Sequence, residues 1–232
     1  MTATVRVTRG SNLGEALGSV GLDRSRPTVV VVGGADAMTE HDLDRLRPLF
    51  VEALARVAES VGAYVVDGGT DAGVMRLMGA ARSEVAATFP LIGVVAEGTV
   101  SLPGSHSAPD AADPEPHHSH FVIVPGSHWG DESPWLARVA TELADGAPSV
   151  TVVVNGGDVA LDDVEYSVAA GRPTVVVGGT GRTADALAKA IRGDPAAERA
   201  RTLAASELLH VVDSADSDAL AAVVRSLVTK GA

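Results

Sequence analysis

The sequence predicts an α/β protein with a doubly wound, mostly parallel sheet carrying helices on both faces, and two patterns carry that prediction. Short runs rich in Val and Ile recur along the 232 residues, and amphipathic stretches long enough for crossover helices separate them. The runs are apolar continuously rather than alternately, which marks strands buried on both faces. Repeated strand-helix units of this kind wind into a parallel sheet, a Rossmann-like architecture that residues 1–232 fill as one domain. A chain of this length buries roughly 70% of its unfolded surface, enough for a sheet covered on both sides.

In chain order, the Val-Arg-Val-Thr run predicts a first strand at 5–8 and the valines after Thr28 a second at 28–32. Apolar residues at helical spacing predict a long helix at 40–60. A strand at 63–66 runs into a glycine turn and a helix at 73–87, and Leu91 to Val95 gives the next strand. The segment 97–118 then breaks the rhythm with Pro103, Pro109, Pro114 and Pro116 among Asp110, Asp113 and Glu115. It reads as a long surface loop, either a lid over a site or an insertion without a role. The pattern resumes with strands at 121–124, 150–154, 174–177 and 208–212, interleaved with helices at 134–144, 159–170, 183–191 and 216–228.

Composition removes several classes of function. No stretch reaches the roughly 18 consecutive apolar residues of a membrane span, and Arg6, Arg9, Glu15, Asp23 and Arg24 interrupt the first 25 residues where an export signal would be apolar. Neither export nor membrane association is expected, and a cytoplasmic location is. The absence of cysteine excludes disulfides, thiolate metal sites and cysteine nucleophiles. A net charge of -12, with its 18 Lys and Arg scattered, argues against nucleic acid as a partner. Lys189 lies in a predicted helix and Lys230 near the end, leaving no lysine placed for a pyridoxal-phosphate Schiff base. No cofactor is required by the sequence, and a small nucleotide-type ligand is the expected partner. An apolar helix face fits a homo-oligomer interface and an intramolecular layer equally well.

The positional signal for a site is glycine. Five predicted strands end in Gly33-Gly34, Gly68-Gly69, Gly126 with Gly130, Gly156-Gly157, and Gly178-Gly179 with Gly181. In a parallel sheet these ends share one edge, where backbone amides can approach a ligand and helix amino ends present positive charge. Open α/β sheets bind ligands in crevices outside the carboxyl ends of their strands. In Gly178 to Thr183 a glycine loop, the Thr180 hydroxyl and the Arg182 guanidinium precede a helix, each fit for a phosphate, although Arg182 could instead pair with Asp185. Thr70 and Asp71, between Gly68-Gly69 and Gly73-Val74, fit either a helix cap or a ligand-facing loop. No Walker lysine pattern or complete dinucleotide glycine fingerprint is present.

Polar candidates cluster around the strand at 121–124. His118 and His120 lie on one side of an extended segment, as metal ligands, pocket lining or structural hydrogen-bond partners would. No third ligand comes at diagnostic spacing, so no metal is assigned. Asp131 and Glu132, after Gly130, suit general acid/base work, a ribose diol or a helix cap.

Four ordered blocks over about residues 28–190 resemble the SLOG superfamily, most closely its branch in TRPM channels and their prokaryotic stand-alone relatives. They are Gly68-Gly69-Thr70 through Gly73-Val74; His118-Ser119-His120-Phe121; Trp129-Gly130-Asp131-Glu132 with Leu136 and Arg138; and Gly178 to Arg182 with Ala184-Asp185. The resemblance implies a Rossmann-like sensor of nucleotide-derived molecules such as ADP-ribose and NAD products. By it, Thr70, Gly73, Arg138 and Arg182 are the favoured ligand contacts. A second similarity, to LOG-type phosphoribohydrolases, rests on Pro125-Gly126-Ser127 to Glu132. There Ser127 replaces a glycine, Asp131 replaces a threonine, and His117 to His120 stand where an arginine-lysine pair is expected.

The expected function is therefore binding of a nucleotide-derived small molecule, with phosphates on the glycine loops and Arg182 and with Trp129 stacked on a base. N-glycosidic hydrolysis through Glu132 or Asp131 is the alternative, and an interaction scaffold without a ligand is the second.

Overall fold

A computed structural model of the protein describes residues 2–22, 25–35, 37–101 and 111–229. Its strands are β1 (Ala3–Arg6), β2 (Thr28–Gly33), β3 (Tyr64–Asp67), β4 (Leu91–Ala96), β5 (His120–Val124), β6 (Ser149–Val154), β7 (Thr174–Gly178) and β8 (Leu209–Asp213). They form one parallel sheet in the order β1-β5-β4-β3-β2-β6-β7-β8. From β2 the chain winds outward through β3 and β4 to β5, then returns to the other side of β2 and winds outward again through β6, β7 and β8. The winding direction reverses between β2 and β6, which pair from Thr28 opposite Ser149 to Gly33 opposite Val154.

The continuous apolarity of the strands is explained by this placement. In β2, Val29 and Val31 enter one core layer and Val30 and Val32 the other. The first layer is covered by α2 (Glu40–Pro48), a π-helical stretch (Leu49–Ala55), α3 (Arg56–Val61), α4 (Gly73–Glu84) and α9 (Ser217–Thr229), through Leu46, Phe50, Leu54, Met78 and Val224. The second lies under α1 (Leu13–Gly18), α5 (Ser133–Ala144), α6 (Asp158–Ala169), α7 (Arg182–Ile191) and α8 (Glu198–Ala204), through Leu17, Leu143, Val164, Leu187 and Leu203.

Each of the eight strand expectations corresponds to a strand, and all pairings are parallel. The helix expected at 40–60 is divided in three. Pro48 has no N–H to donate, and the backbone widens to π pitch at the next residue while keeping Phe50, Val51, Ala53, Leu54 and Ala55 buried. The short helices α1 and α8, of 6 and 7 residues, were not expected, being too brief for a sustained apolar stripe.

The segment 97–118 departs most from expectation. Residues 102–110, with Pro103, Pro109 and Asp110, lie outside the described residues. Residues 111–118 are not a free surface loop but are laid along the β3–α4 turn. Asp71 N–H donates to the Asp113 carbonyl, Glu115 N–H donates to the Gly69 carbonyl, and Thr70 bridges Pro114. Glu115 and His118 are buried.

Candidate functional site

A cavity of about 220 Å³ opens at the reversal point, beyond the carboxyl ends of β2 and β6. Val31, Val32, Gly33 and Ala35 form its floor, Gly68, Thr70 and Met75 one side, and Val159 and Asp163 of α6 the other. Ala112 closes it from the returning segment. Trp129, Glu132 and Leu136 complete the wall, with Trp129 half exposed. Of the residues expected at the site, Gly33, Gly68, Thr70, Trp129 and Glu132 therefore converge.

The two carboxyls in the wall are chemically distinct from ordinary surface acids. Burial pushes the Glu132 carboxyl up, against the Gly130 N–H, which donates to its Oε2 at 3.0 Å; the Asp131 charge pushes it further. Burial raises Asp163 to about 7, with the nearby Ser133 hydroxyl easing it back and Glu132 adding to the rise. Asp163 Oδ1 and Ser133 Oγ are buried without a hydrogen-bond partner among the described residues. Leaving such a group unpaired costs about 1–3 kcal/mol, so the Asp163 carboxyl in the cavity wall is poised for a bond that a ligand can supply. Asp163 was not among the expected residues. It falls on the buried stripe of α6 with Ala160, Val164 and Ser167, at helical spacing, and a carboxylate on such a stripe was the available signal.

Most of the glycine turns serve the packing of one loop on another. A Cβ on Gly73 would stand 1.9 Å from the Gly34 carbonyl oxygen, and Gly73 has φ +47. The Val74 N–H donates to that carbonyl and the Val74 side chain is in the core, so neither residue lines the cavity. Gly34 abuts Asn155 and Met38, and Gly69 abuts Phe121 and Gly93. The 126–131 turn is tied by Asp131, whose Oδ2 accepts from the Ser127 and His128 amides at 2.9 and 3.0 Å. Those bonds hold the Asp131 carboxyl below the usual range, in an exposed position where it organises the turn before Gly130.

The loop at Gly178 to Arg182 differs from the expected phosphate cradle. Thr183 and Ala184 N–H groups donate to the Gly156 and Asn155 carbonyls, and Gly179 N–H donates to Asp185 Oδ1 at 2.6 Å. Thr180 Oγ1 accepts from Asn155 N–H and donates to the Val177 carbonyl, and Gly181 packs against the Asn155 amide. The amino end of α7 is thus filled by the neighbouring loop. Helix α6, with Gly157 as its N-cap residue, also starts without a side-chain cap, and it follows β6 at the reversal point. There the exposed Arg182 guanidinium lies 2.8 Å from where a Cβ on Gly157 would stand.

A family model described as "SLOG in TRPM, prokaryote" matches residues 26–222. The chain belongs to this SLOG family. It is 28% identical over 205 residues to mouse transient receptor potential cation channel subfamily M member 2, covering 73% of this chain and 14% of the mouse protein. It is 26% identical over 197 residues to the subfamily M member-like 2 channel of Nematostella vectensis, covering 68% of this chain and 13% of that one. The SLOG chain thus spans about one seventh of the curated relatives it matches. Among solved structures it is similar to the molybdenum cofactor carrier protein of Chlamydomonas reinhardtii, with TM-score 0.58, 19% identity, and 88% and 99% of the two chains covered. That likeness is one of Rossmann-like fold. No helix among the described residues is long and apolar enough to cross a membrane.

Of the contacts that SLOG resemblance implied, Thr70 lines the cavity, Arg182 lies beyond it at α6, and Gly73 is a packing residue. Arg138 is on the outer side of α5, its guanidinium 4.4 Å above the Trp135 ring, away from the site. His120 opens β5 at the opposite, amino edge of the sheet, where Ser119 and the Val20 carbonyl engage its ring. His118 is in the interior of this SLOG fold. Its Nε2 meets Asp67 Oδ1 and its Nδ1 meets Glu115 Oε2, each at 2.8 Å, and its ring stacks on Phe121. Burial opposes its charge, yet the two carboxylates raise it to about 9, so both ring nitrogens are donors at neutral pH.

Proposed function

We propose that this chain is a binding module for a nucleotide-derived small molecule, ADP-ribose or a related product of NAD, held across the crevice between β2 and β6. The observation that carries the reading is the position of the cavity. It opens where the winding reverses, which is where open α/β sheets hold ligands, and it has an exposed indole in its wall. The uncapped amino end of α6 and the Arg182 guanidinium beside Gly157 supply the positive field for phosphates. In this reading the phosphate cradle lies at α6 rather than at α7. The family relationship supports the same ligand class.

A melting-temperature panel of ADP-ribose, cyclic ADP-ribose, NAD, AMP and ribose 5-phosphate, with product analysis of every sample, tests this. At about 100 times the dissociation constant a bound ligand stabilises by about 2.7 kcal/mol, or about 5–10 °C for a chain of this size. The expected result is such a shift with intact ligand, reduced by Arg182→Ala and by Trp129→Ala. No shift with any member supports a scaffold instead.

One observation favours a second reading, hydrolysis of an N-glycosidic bond: Glu132 and Asp163 share the cavity and are both held toward the protonated state. A carboxyl near 7 suits a general acid and its neighbour a base. Release of a free base that Glu132→Gln abolishes while binding persists would establish this reading.

A further inference from the structure

We infer that the cavity takes the uncharged nitrogen heterocycle of the ligand, read by the Asp163 carboxyl that the Ser133 hydroxyl positions from behind, while the ligand's anionic groups stay outside it. The inference rests on the nucleotide reading above and adds which end enters and what recognises it.

Three observations support the assignment. The only ionisable residues in the cavity wall, among those described, are Glu132 and Asp163, with no Arg, Lys or His between them. A phosphate entering would meet two partly desolvated carboxyl groups with no cation in the wall to offset them. Apart from Thr70, the remaining wall is apolar, from Val31, Val32, Met75, Leu136 and Val159 among others, and Trp129 offers a flat ring at its side. At about 220 Å³ the space is smaller than the roughly 300–1,000 Å³ of sites enclosing a drug-sized ligand, so it holds one portion of a nucleotide.

The polar atoms define what that portion must offer. Asp163 is in the cavity wall and its buried Oδ1 has no partner within hydrogen-bond geometry among the described residues, while the Ser133 hydroxyl lies beside that carboxyl and outside the wall. A purine or a carboxamide-bearing ring presents a hydrogen-bond donor beside an acceptor and carries no negative charge. Asp163, near 7, can meet either, accepting as the carboxylate and donating as the acid. The Arg182 guanidinium beside Gly157 then lies where the phosphates would emerge.

Calorimetric titration of the full chain with ADP-ribose, adenosine, nicotinamide and ribose 5-phosphate tests the inference. Adenosine is expected to displace ADP-ribose. Asp163→Leu, which keeps bulk and removes both hydrogen-bonding functions, is expected to weaken adenosine and ADP-ribose by about tenfold or more, and Asp163→Asn, which retains a donor and an acceptor, by about threefold or less. Ribose 5-phosphate affinity is expected to be the same in all three proteins. If the leucine variant fails to fold, Ser133→Ala, which removes the hydroxyl beside Asp163, applies the same test to the carboxyl it positions. Unchanged ADP-ribose affinity in Asp163→Leu, or an equal loss for ribose 5-phosphate, overturns the inference and leaves the nucleotide reading standing. Failure of the native chain to bind ADP-ribose overturns that reading, whereas adenosine or nicotinamide binding that still requires Asp163 sustains the cavity assignment. No binding of any probe overturns both.

Discussion

Two buried titratable side chains make the stability of this protein depend on pH in separate windows. Asp163 is raised from 3.8 to about 7 by burial, so its folded pKa exceeds its unfolded one. Its contribution is fully present below about pH 4 and is lost as pH rises through 7. Asp163→Asn removes that loss, and the variant is expected to be more stable than the native chain by about 1–3 kcal/mol at pH 8 and equal to it at pH 4. His118 is raised from 6.5 to about 9 by Asp67 and Glu115, against the effect of burial, and its contribution is intact below pH 6.5 and lost as pH climbs through 9. His118→Phe leaves two buried carboxylates facing each other, an expected loss of about 3–5 kcal/mol at pH 6. Thermal denaturation of the three proteins between pH 4 and 10 separates the windows. A native melting temperature flat from pH 7 to 9 would contradict the assignment at His118.

Among the elements, the turn joining β3 to α4 is the most sensitive. Gly73→Ala places a methyl group within the Gly34 carbonyl and forces a left-handed residue, so the β2 and β3 turns must separate. The expected outcome is a loss of about 3 kcal/mol or more, or failure to fold, read by urea denaturation. This position also shows what was legible in the sequence. The glycines were visible as turns at strand ends, and the strands were visible because short, unbroken valine runs bounded by turn residues fit strands buried on both faces. Whether a glycine admits a ligand or another loop was not visible, because the loop that fills the space comes from elsewhere in the chain. Gly34 meets Gly73, and the Asn155 and Gly156 carbonyls occupy the amino end of α7. The same limit explains His118: its position beside a strand was plain, but its carboxylate partners come from β3 and from a segment that read as surface. Asp163 was legible in principle, as an acid on an apolar helical stripe, but the acids beside the glycines drew the stronger signal. Pro48 was visible too, without revealing that the helix would accommodate it by widening.

At the scale of the whole molecule, the site exists because two windings meet. The order of the inner strands was not readable from strand content, since their apolar runs are alike, whereas Arg6 in the alternating first strand and His210 and Asp213 in the last mark the two edges. The adjacency β3-β2-β6 brings Gly68, Gly33 and Val159 around one cavity, which Trp129 joins from the loop after β5. That order has a consequence for how the chain is made. β2 lies in the middle of the finished sheet, yet its partner β6 begins at Ser149, so for the whole of the intervening synthesis β2 is an edge. Four successive valines, with no charge or bulge to blunt them, then present unpaired backbone groups to any other extended chain. A nascent chain of this protein is therefore expected to be most adhesive just before the sixth strand emerges. A fragment ending before Ser149 should associate with itself at concentrations where the full chain stays dispersed, which light scattering would reveal. The strand that completes the ligand site is the one that ends this exposure.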